Sequence, residues 1–418
     1  MHAGEIRPGI QDCDFLCEVA VQQHWLNKGR LAAYPRIFIA LYLIGAVIWV
    51  SMSHNGIDHY RKPLGYDFIT FWSASHLALS GDPAAAYDLP SIVREERAVM
   101  PGIRSVNPWL YPPTFYLLIL PLSLLPYFLS YFAFLGATFA AYIGVVRKII
   151  AVPGSLALLL AFPGGFINFV QGQNGFLTAA LIGGALLLLT SRPVWAGVLI
   201  GLLTIKPHLG LLLPIALICG RHWRVLCYAT LTSLLLLAVS VAVLGTDTLS
   251  AFLAGMQRFS DLAVGDPDLM IKIPSFFSLA HLLGAPAWIA YAVHGTVAAG
   301  VAVAVGWIWL RCPDQGLRSA ALVTGSLLAS PYLLDYDLVW LALPITWMAV
   351  HGLRYGWLRG EREMLVAAWL LPMCLVAVYR LCHVQLAAFL LLGLFLTILR
   401  RVFAHAACVP PTQVAAGD

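Results

Sequence analysis

Apolar runs close to the length that crosses a bilayer, about 20 residues, recur along this chain from Tyr34 almost to Arg401, and short polar loops separate them. The runs near 35–52, 113–146, 153–168, 176–190, 193–205, 207–219, 223–244, 288–310, 317–332, 337–350, 364–380 and 384–399 predict twelve helices. Several are shorter than a full span. The second is long enough to break at Pro121 or Pro126, where a missing amide donor interrupts helix hydrogen bonding. Two long intervals, roughly 53–112 and 245–287, fall outside the pattern and are the places where polar chemistry can collect. Within the first, Phe68, Phe71, Trp72 and Leu79 recur at helical spacing, as do Leu89, Ile92, Val93 and Val99. This predicts two amphipathic helices at the membrane interface rather than a solvated loop.

Composition agrees with a life in lipid. Of the 418 residues 60% are hydrophobic and 11% charged, against about a quarter charged in soluble domains. The expected fold class is all-α, a polytopic membrane protein organised as a single transmembrane domain over 35–403, between a cytoplasmic segment 1–34 and a cytoplasmic tail 404–418. The first 30 residues mix Glu5, Asp12, Asp14 and Glu18 with Arg7, Lys28 and Arg30, which is not the layout of a cleaved signal peptide, so the first helix is itself expected to direct insertion. Eight scattered cysteines, with Cys13 and Cys17 the only close pair, suggest neither a disulfide framework nor a zinc site.

Net charge is a modest +5, and its distribution matters more. With the N-terminus in the cytoplasm, sixteen Lys and Arg fall inside and nine outside, and seven of those nine lie in the two long outer loops. The short inside loops carry Arg147 with Lys148, Arg192, Arg221 with Arg224, Arg311 with Arg318, Arg354 to Arg362, and Arg400 with Arg401. Short loops count most in the positive-inside rule. Both termini are therefore expected in the cytoplasm of a bacterial inner membrane, with the long loops facing outward.

Candidate chemistry sits at the outer edge. Asp67 opens the first amphipathic helix, where a carboxylate either caps free amides or serves as a general base for a hydroxyl. Asp335, Tyr336 and Asp337 stand where one apolar helix ends and the next begins. Carboxylates at the bilayer centre cost roughly 2.5–3.5 kcal/mol each, so these face water, a partner or a substrate, or lie at the water edge as caps. Lys206-Pro207-His208 interrupts an apolar hairpin at its outer turn. Its lysine either snorkels or meets a phosphate. In Gln171-Gly172-Gln173-Asn174-Gly175 the glycines allow a sharp turn, and the amides of Gln171, Gln173 and Asn174 are suited to sugar hydroxyls as well as to an ordinary turn. Tyr111-Pro112-Pro113 suits a rigid re-entry into the membrane. The chain has no GxxxxGK[ST], GxGxxG or HExxH motif, which leaves no marked site for nucleotide-driven transport or zinc proteolysis.

In this order the pieces resemble glycosyltransferase family 87, the polyprenol-phosphate-dependent, mannosyltransferase-like members of the GT-C class. The resemblance is carried by Asp67-Phe68 through Phe71-Trp72, Gly81-Asp82-Pro83 with Tyr87-Asp88, Tyr111-Pro112-Pro113 with Pro121-Leu122 and Leu125-Pro126, Gln171-Gly172-Gln173-Asn174, Ala196-Gly197 with Gly201 and Lys206-Pro207, and Ser330-Pro331 with Tyr336-Asp337. It implies a GT-C-like bundle, a catalytic aspartate in the first outer loop that maps to Asp67, a lipid-phosphate-sugar donor, inversion at the anomeric carbon and a cavity open to the outer leaflet. No catalytic histidine carries over among His76, His208, His281 and His294.

The expected activity is transfer of a sugar, mannose being the family's leading expectation, from a polyprenyl-phosphate donor to a lipid or glycan acceptor. Asp67 acts as base, and Lys206, Arg258 or Lys272 meets the departing phosphate. No metal or other cofactor is expected, although a divalent ion on the phosphate would need few protein ligands. No nucleic-acid partner is implied. The rival classes are a lipid or solute transporter built on Asp337 and Lys206, and an assembly subunit without turnover.

Overall fold

A computed structural model describes residues 24–408, apart from the side chains of 257–263 and 407–408. Cys13, Cys17 and most of both terminal segments lie outside that range. Among the described residues the chain is helical, with two isolated bridges in the stretch His54–Pro63 and no β-strand.

The helices in chain order begin with α1 (Lys28–Ser51), α2 (Phe68–Leu79), α3 (Leu89–Val99), α4 (Pro113–Ile119) and α5 (Tyr127–Ile149). They continue with α6 (Ser155–Leu160), α7 (Pro163–Gln171), α8 (Gly175–Leu188), α9 (Pro193–Leu202), α10 (Leu213–Cys219) and α11 (Trp223–Leu244). After α12 (Thr246–Gly265), α13 (Pro267–Ile271) and α14 (Phe276–Leu282) come α15 (Ala287–Arg311), α16 (Gln315–Ala329), α17 (Ala342–Tyr355), α18 (Glu361–Cys382) and α19 (Ala387–Cys408). A 3-10 segment, Asp335–Leu341, leads into α17.

Among the described residues six of these are long and apolar enough to cross a membrane: α1, α5, α11, α15, α18 and the Ala387–Ala406 part of α19. The other six runs read from hydropathy are shorter or broken. Proline breaks several runs, including the long one that contains α5. Pro163 separates α6 from α7, Pro207 follows α9 and its 3-10 turn, and the run that starts at Pro113 stops before Pro121 and resumes after Pro126, so both prolines interrupt it.

Burial separates outer from central helices. Among its described residues α1 buries only Pro35 and leaves Leu41, Leu43, Ile44 and Val47 more than half exposed, the surface of a lipid-facing helix. In contrast α8 is buried at Gly175, Phe176 and Thr178 through Leu186, and α16 at Leu317 and Ser319 through Ala329, so neither presents a face to lipid. Small residues make this close packing possible. Gly197 and Gly201, one turn apart on α9, lie against α11, where an added Cβ would stand 2.5 Å from Tyr228 Cβ and 2.5 Å from Thr232 Cβ respectively. The same small-xxx-small spacing lets membrane helices approach by their backbones.

The first long loop departs from its expected form in one respect. Helix α3 is amphipathic, with Ile92 and Glu96 turned inward. Helix α2 is buried at Phe68 through Phe71 and at Ser73, Ala74 and Ser75, packed among Tyr127, Tyr131 and Phe134 of α5 and Phe115 of α4. Its first turns are core, while Trp72 is half-buried and His76 and Leu79 are exposed at its far end. Of the aromatic residues that gave it an apolar stripe, Phe68 and Phe71 are fully buried.

A candidate active site at the joined helix ends

Antiparallel packing gathers five chain ends at one end of the bundle: the start of α2, the end of α7, the start of α8, the turn after α9 and the segment after α16. Each contributes a polar side chain. The join depends on Gly172, which closes α7 in the left-handed region at φ +67. A Cβ there would sit 2.5 Å from Gly65 O and 2.6 Å from Phe68 Cβ, so only glycine lets the start of α2 come this close. The contact is sealed by the Asp67 amide, which donates to Gln171 O at 3.0 Å.

From this joint the two glutamines diverge. Gln173 Nε2 donates to Asp67 Oδ2 at 2.8 Å, and Tyr111 OH donates to Gln173 Oε1 at 2.8 Å, which fixes the amide orientation. Gln171 Nε2 donates to Asp335 Oδ2 at 3.0 Å, while Asp335 Oδ1 accepts from the Tyr336 amide at 2.9 Å. Lys206 Nζ stands 2.5 Å from Asp337 Oδ1 and 4.3 Å from the centroid of the Tyr336 ring.

Capping, one of the roles weighed from sequence, is not seen at Asp67 or Asp335. Asp67 occupies the N-cap position of α2, yet its side chain makes no capping hydrogen bond. Asp335 does not cap the segment it opens either; Leu334 holds that position. Asp337 Oδ2 takes the Leu334 amide at 3.4 Å in addition to its ion pair. Lys206, only 4% exposed, does not snorkel to water.

Electrostatics single out two carboxyls. Burial raises the Asp67 carboxyl above its ordinary range, and the Gln173 hydrogen bond and then Lys272, Lys62 and Lys206 oppose the rise. Burial likewise lifts Asp335 to about 6, with Lys272 and Gln171 pulling it down and Asp67 pushing it up. Lys272 thus acts on both, and with Lys62 and Arg380 it lines a cleft of about 170 Å³ completed by Asp268, Ile271 and Val376.

Several polar groups around the site have no hydrogen-bond partner: both amide atoms of Asn174, the Asn168 Nδ2, His208 Nε2 and Ser330 Oγ. His208 is half-buried next to Lys206 and is within electrostatic reach of Asp337. Buried polar atoms left unpaired are uncommon and call for water or ligand. Of the expected site residues, Asp67, Tyr111, Gln171, Gln173, Asn174, Lys206, His208, Asp335, Tyr336, Asp337 and Lys272 belong to this assembly. The side chain of Arg258 lies outside the described residues. Among the histidines left unaligned, His294 Nε2 lies 3.2 Å from Ala329 O, and His281 Nε2 lies 3.1 Å from Val264 O.

Sequence reading missed Glu96. It is fully buried on the inner face of α3, and neither carboxylate oxygen has a hydrogen-bond partner of normal geometry. Burial pushes its carboxyl up to about 8; Asn107 beside it lowers it in part, and the charge of Asp67 adds to the rise. The signal was present, since Ile92 and Glu96 are four residues apart and share the apolar face of α3.

The family model of glycosyltransferase family 87 matches residues 109–331, more than half of the chain. The chain belongs to glycosyltransferase family 87. The matched stretch contains Tyr111, the Gln171–Asn174 turn, Lys206 and Lys272; it begins after Asp67 and ends before Asp335 and Asp337. No curated protein and no solved structure matches the chain. Membership establishes a membrane glycosyltransferase. The helix ends bring site residues from inside the matched stretch together with Asp67 before it and Asp335 and Asp337 after it.

Proposed function

We propose that this family 87 protein transfers a sugar, mannose in the first instance, from a polyprenyl-phosphate carrier to a hydroxyl of a lipid or glycan acceptor, with Asp67 as general base and inversion at the anomeric carbon. The observation that carries the proposal is the Asp67 side chain. It stands at a helix start without capping it, and the Tyr111–Gln173 chain holds it toward the gathered polar groups.

In the proposed step the acceptor oxygen attacks the anomeric carbon while its proton passes to Asp67. The bond from that carbon to the phosphate oxygen breaks, and the polyprenyl phosphate leaves with the electron pair. A carboxyl raised by burial is the stronger base when ionised, which suits it to take a proton during attack. Lys206 is already closed on Asp337, so Lys272, with Lys62 and Arg380 across the same cleft, is better placed to meet the phosphate charge. The unpartnered amide of Asn174 and the hydroxyl of Ser330 suit sugar hydroxyls.

The six long helices and the shorter apolar ones form the proposed GT-C-like membrane body. The positive-inside distribution supports cytoplasmic termini and a site facing outward in a bacterial inner membrane. A transporter would need Lys206 and Asp337 open to solute, and their mutual pairing speaks against that use.

The test is label transfer from radiolabelled polyprenyl-phospho-mannose to a membrane-lipid extract by purified protein, wild type against Asp67→Asn. Transfer by the wild type that drops at least a hundredfold in the variant is expected, since a positioned base contributes about 10²–10⁴-fold. Full turnover by Asp67→Asn would remove Asp67 from the mechanism. Inertness of the wild type toward a panel of lipid-linked sugars would remove the donor assignment.

A further inference from the structure

At the far end of α16 from the candidate active site, Asp314, His351 and His405 converge. Asp314 precedes the first residue of α16, whereas Asp335 follows its last turn. Fifteen helical residues rising about 1.5 Å each separate the two clusters by roughly 22 Å. One ligand-type atom from each of the three side chains lies within 4.8 Å of the others. They come from three elements: the turn before α16, the C-terminal half of α17 and the last turn of α19.

His351 is the unusual member. It is 5% exposed, and both of its ring nitrogens lack a hydrogen-bond partner. Its ring meets those of His405 and Tyr355 at 5.1 Å and 4.6 Å between centroids. A buried imidazole normally places at least one nitrogen in a hydrogen bond. Asp314 Oδ1 accepts from the Leu317 amide at 2.7 Å, which fixes the carboxylate and leaves its other oxygen for a ligand. The nearby cation is already neutralised: Arg401 pairs with Glu361 and donates to Gly356 O at 2.9 Å. Arg318, one turn along α16, makes no ion pair with Asp314.

We infer that Asp314, His351 and His405 form a site for a divalent transition metal of the zinc class, which ties the end of α19 to α16 and α17. Two imidazoles and a carboxylate are a borderline-soft donor set that suits Zn²⁺ and leaves a fourth position for water. Bonds of about 2.0–2.1 Å put tetrahedral ligand atoms about 3.3 Å apart, so binding would draw the present atoms together by at most about 1.5 Å. The Asp314 hydrogen bond to Leu317 is the kind of second contact that orients a ligating carboxylate.

The test uses the full chain, purified in detergent with a tag that contains no histidine and stripped of metal by a chelator. Zn²⁺ is then measured by equilibrium dialysis with elemental analysis, and Co²⁺ by its visible absorption. The wild type is expected to hold one equivalent of Zn²⁺ and to show the intense absorption of four-coordinate Co²⁺. His351→Gln and His405→Gln should weaken binding at least tenfold, while His222→Gln, a histidine outside the cluster, should retain it. Asp314→Asn preserves the helix cap, because Asn caps as well as Asp, and so tests the ligand without loss of fold. Added Zn²⁺ should raise the thermal midpoint of the wild type and of His222→Gln but leave His351→Gln and Asp314→Asn unmoved. Absence of a stoichiometric ion in the wild type, or binding by Asp314→Asn and His351→Gln as tight as the wild type's, would overturn the assignment and leave the nitrogens of His351 to water.

Discussion

Removal of either half of the Lys206–Asp337 pair should damage the protein more than removal of both. The ammonium and carboxylate approach to 2.5 Å, with side chains 5% and 1% exposed. In Asp337→Leu the ammonium would face chiefly the Tyr336 ring at 4.3 Å, a contact worth about 2 kcal/mol when desolvated. In Lys206→Met the carboxylate would retain only the Leu334 amide at 3.4 Å. Neither remnant compensates a buried charge, so each single variant should lose about 3–5 kcal/mol, whereas apolar replacement of both partners is often neutral or stabilising. Native proteins are stable by only about 5–15 kcal/mol, so each single loss is a large part of the whole. Unfolding of the purified chain in mixed micelles, followed by tryptophan fluorescence as the share of denaturing detergent rises, measures all four members of the cycle. If either single variant stays within about 1 kcal/mol of the wild type, or if the double variant loses the sum of the two, the pair is not the buried structural unit described here. Lys206 would then be free to serve the phosphate after all.

Turnover should rise with pH along its acid limb, because the proposed mechanism needs Asp67 ionised and burial holds its carboxyl above the ordinary range. A limb centred at or below about 3.9, the reference value for aspartate, measured as initial transfer rate against pH, would contradict the raised carboxyl. Glu96→Gln should change the pH dependence of stability in a defined sense. The folded state keeps the Glu96 proton up to about 8 while the unfolded chain releases it near 4.5. The stabilisation from holding that proton is therefore complete below the unfolded value and is lost as pH rises to the folded one. Wild type should lose about 1.4 kcal/mol per pH unit relative to the variant across that window, and parallel unfolding curves at pH 5 and 7 would refute it. Gly201→Val places side-chain atoms where Thr232 Cβ and Ala229 O already stand. Overpacking of about 1–3 kcal/mol should appear as a lowered thermal midpoint, and an unchanged midpoint would mean that α9 and α11 part easily.

Much of this protein was legible in its residues. Hydropathy alone required helices in lipid, because a bilayer tolerates no unpaired backbone and leaves few alternatives to the helix. Six of the twelve runs are long enough to span. Periodicity also found α2 and α3, and the polar turns at Asp67, Gln171–Asn174, Lys206 and Asp335–Asp337 stood out as breaks in apolar sequence. The proline breaks at Pro121 and Pro126 were visible for the same local reason. Which side of α2 meets what was not. Its aromatic stripe read as an interfacial face, and only the arrival of α4 and α5 buries its first turns in the core.

The site is likewise a tertiary fact. Spacing along the chain could nominate Asp67 as cap or base, but the partner that turns it from the cap, Gln173, lies 106 residues away. Lys206 read as a snorkelling or phosphate-binding lysine until Asp337, 131 residues on, closed over it. Glu96 passed as one charge on a loop helix because the sequence does not show that neighbours bury it. Local pattern reflects what each segment needs from its surroundings, lipid or water, and the chain by itself determined that much. Which segments satisfy one another, and hence which charges are paired, which are left strained and which meet at one end of the bundle, depended on long-range packing that leaves no period in the sequence.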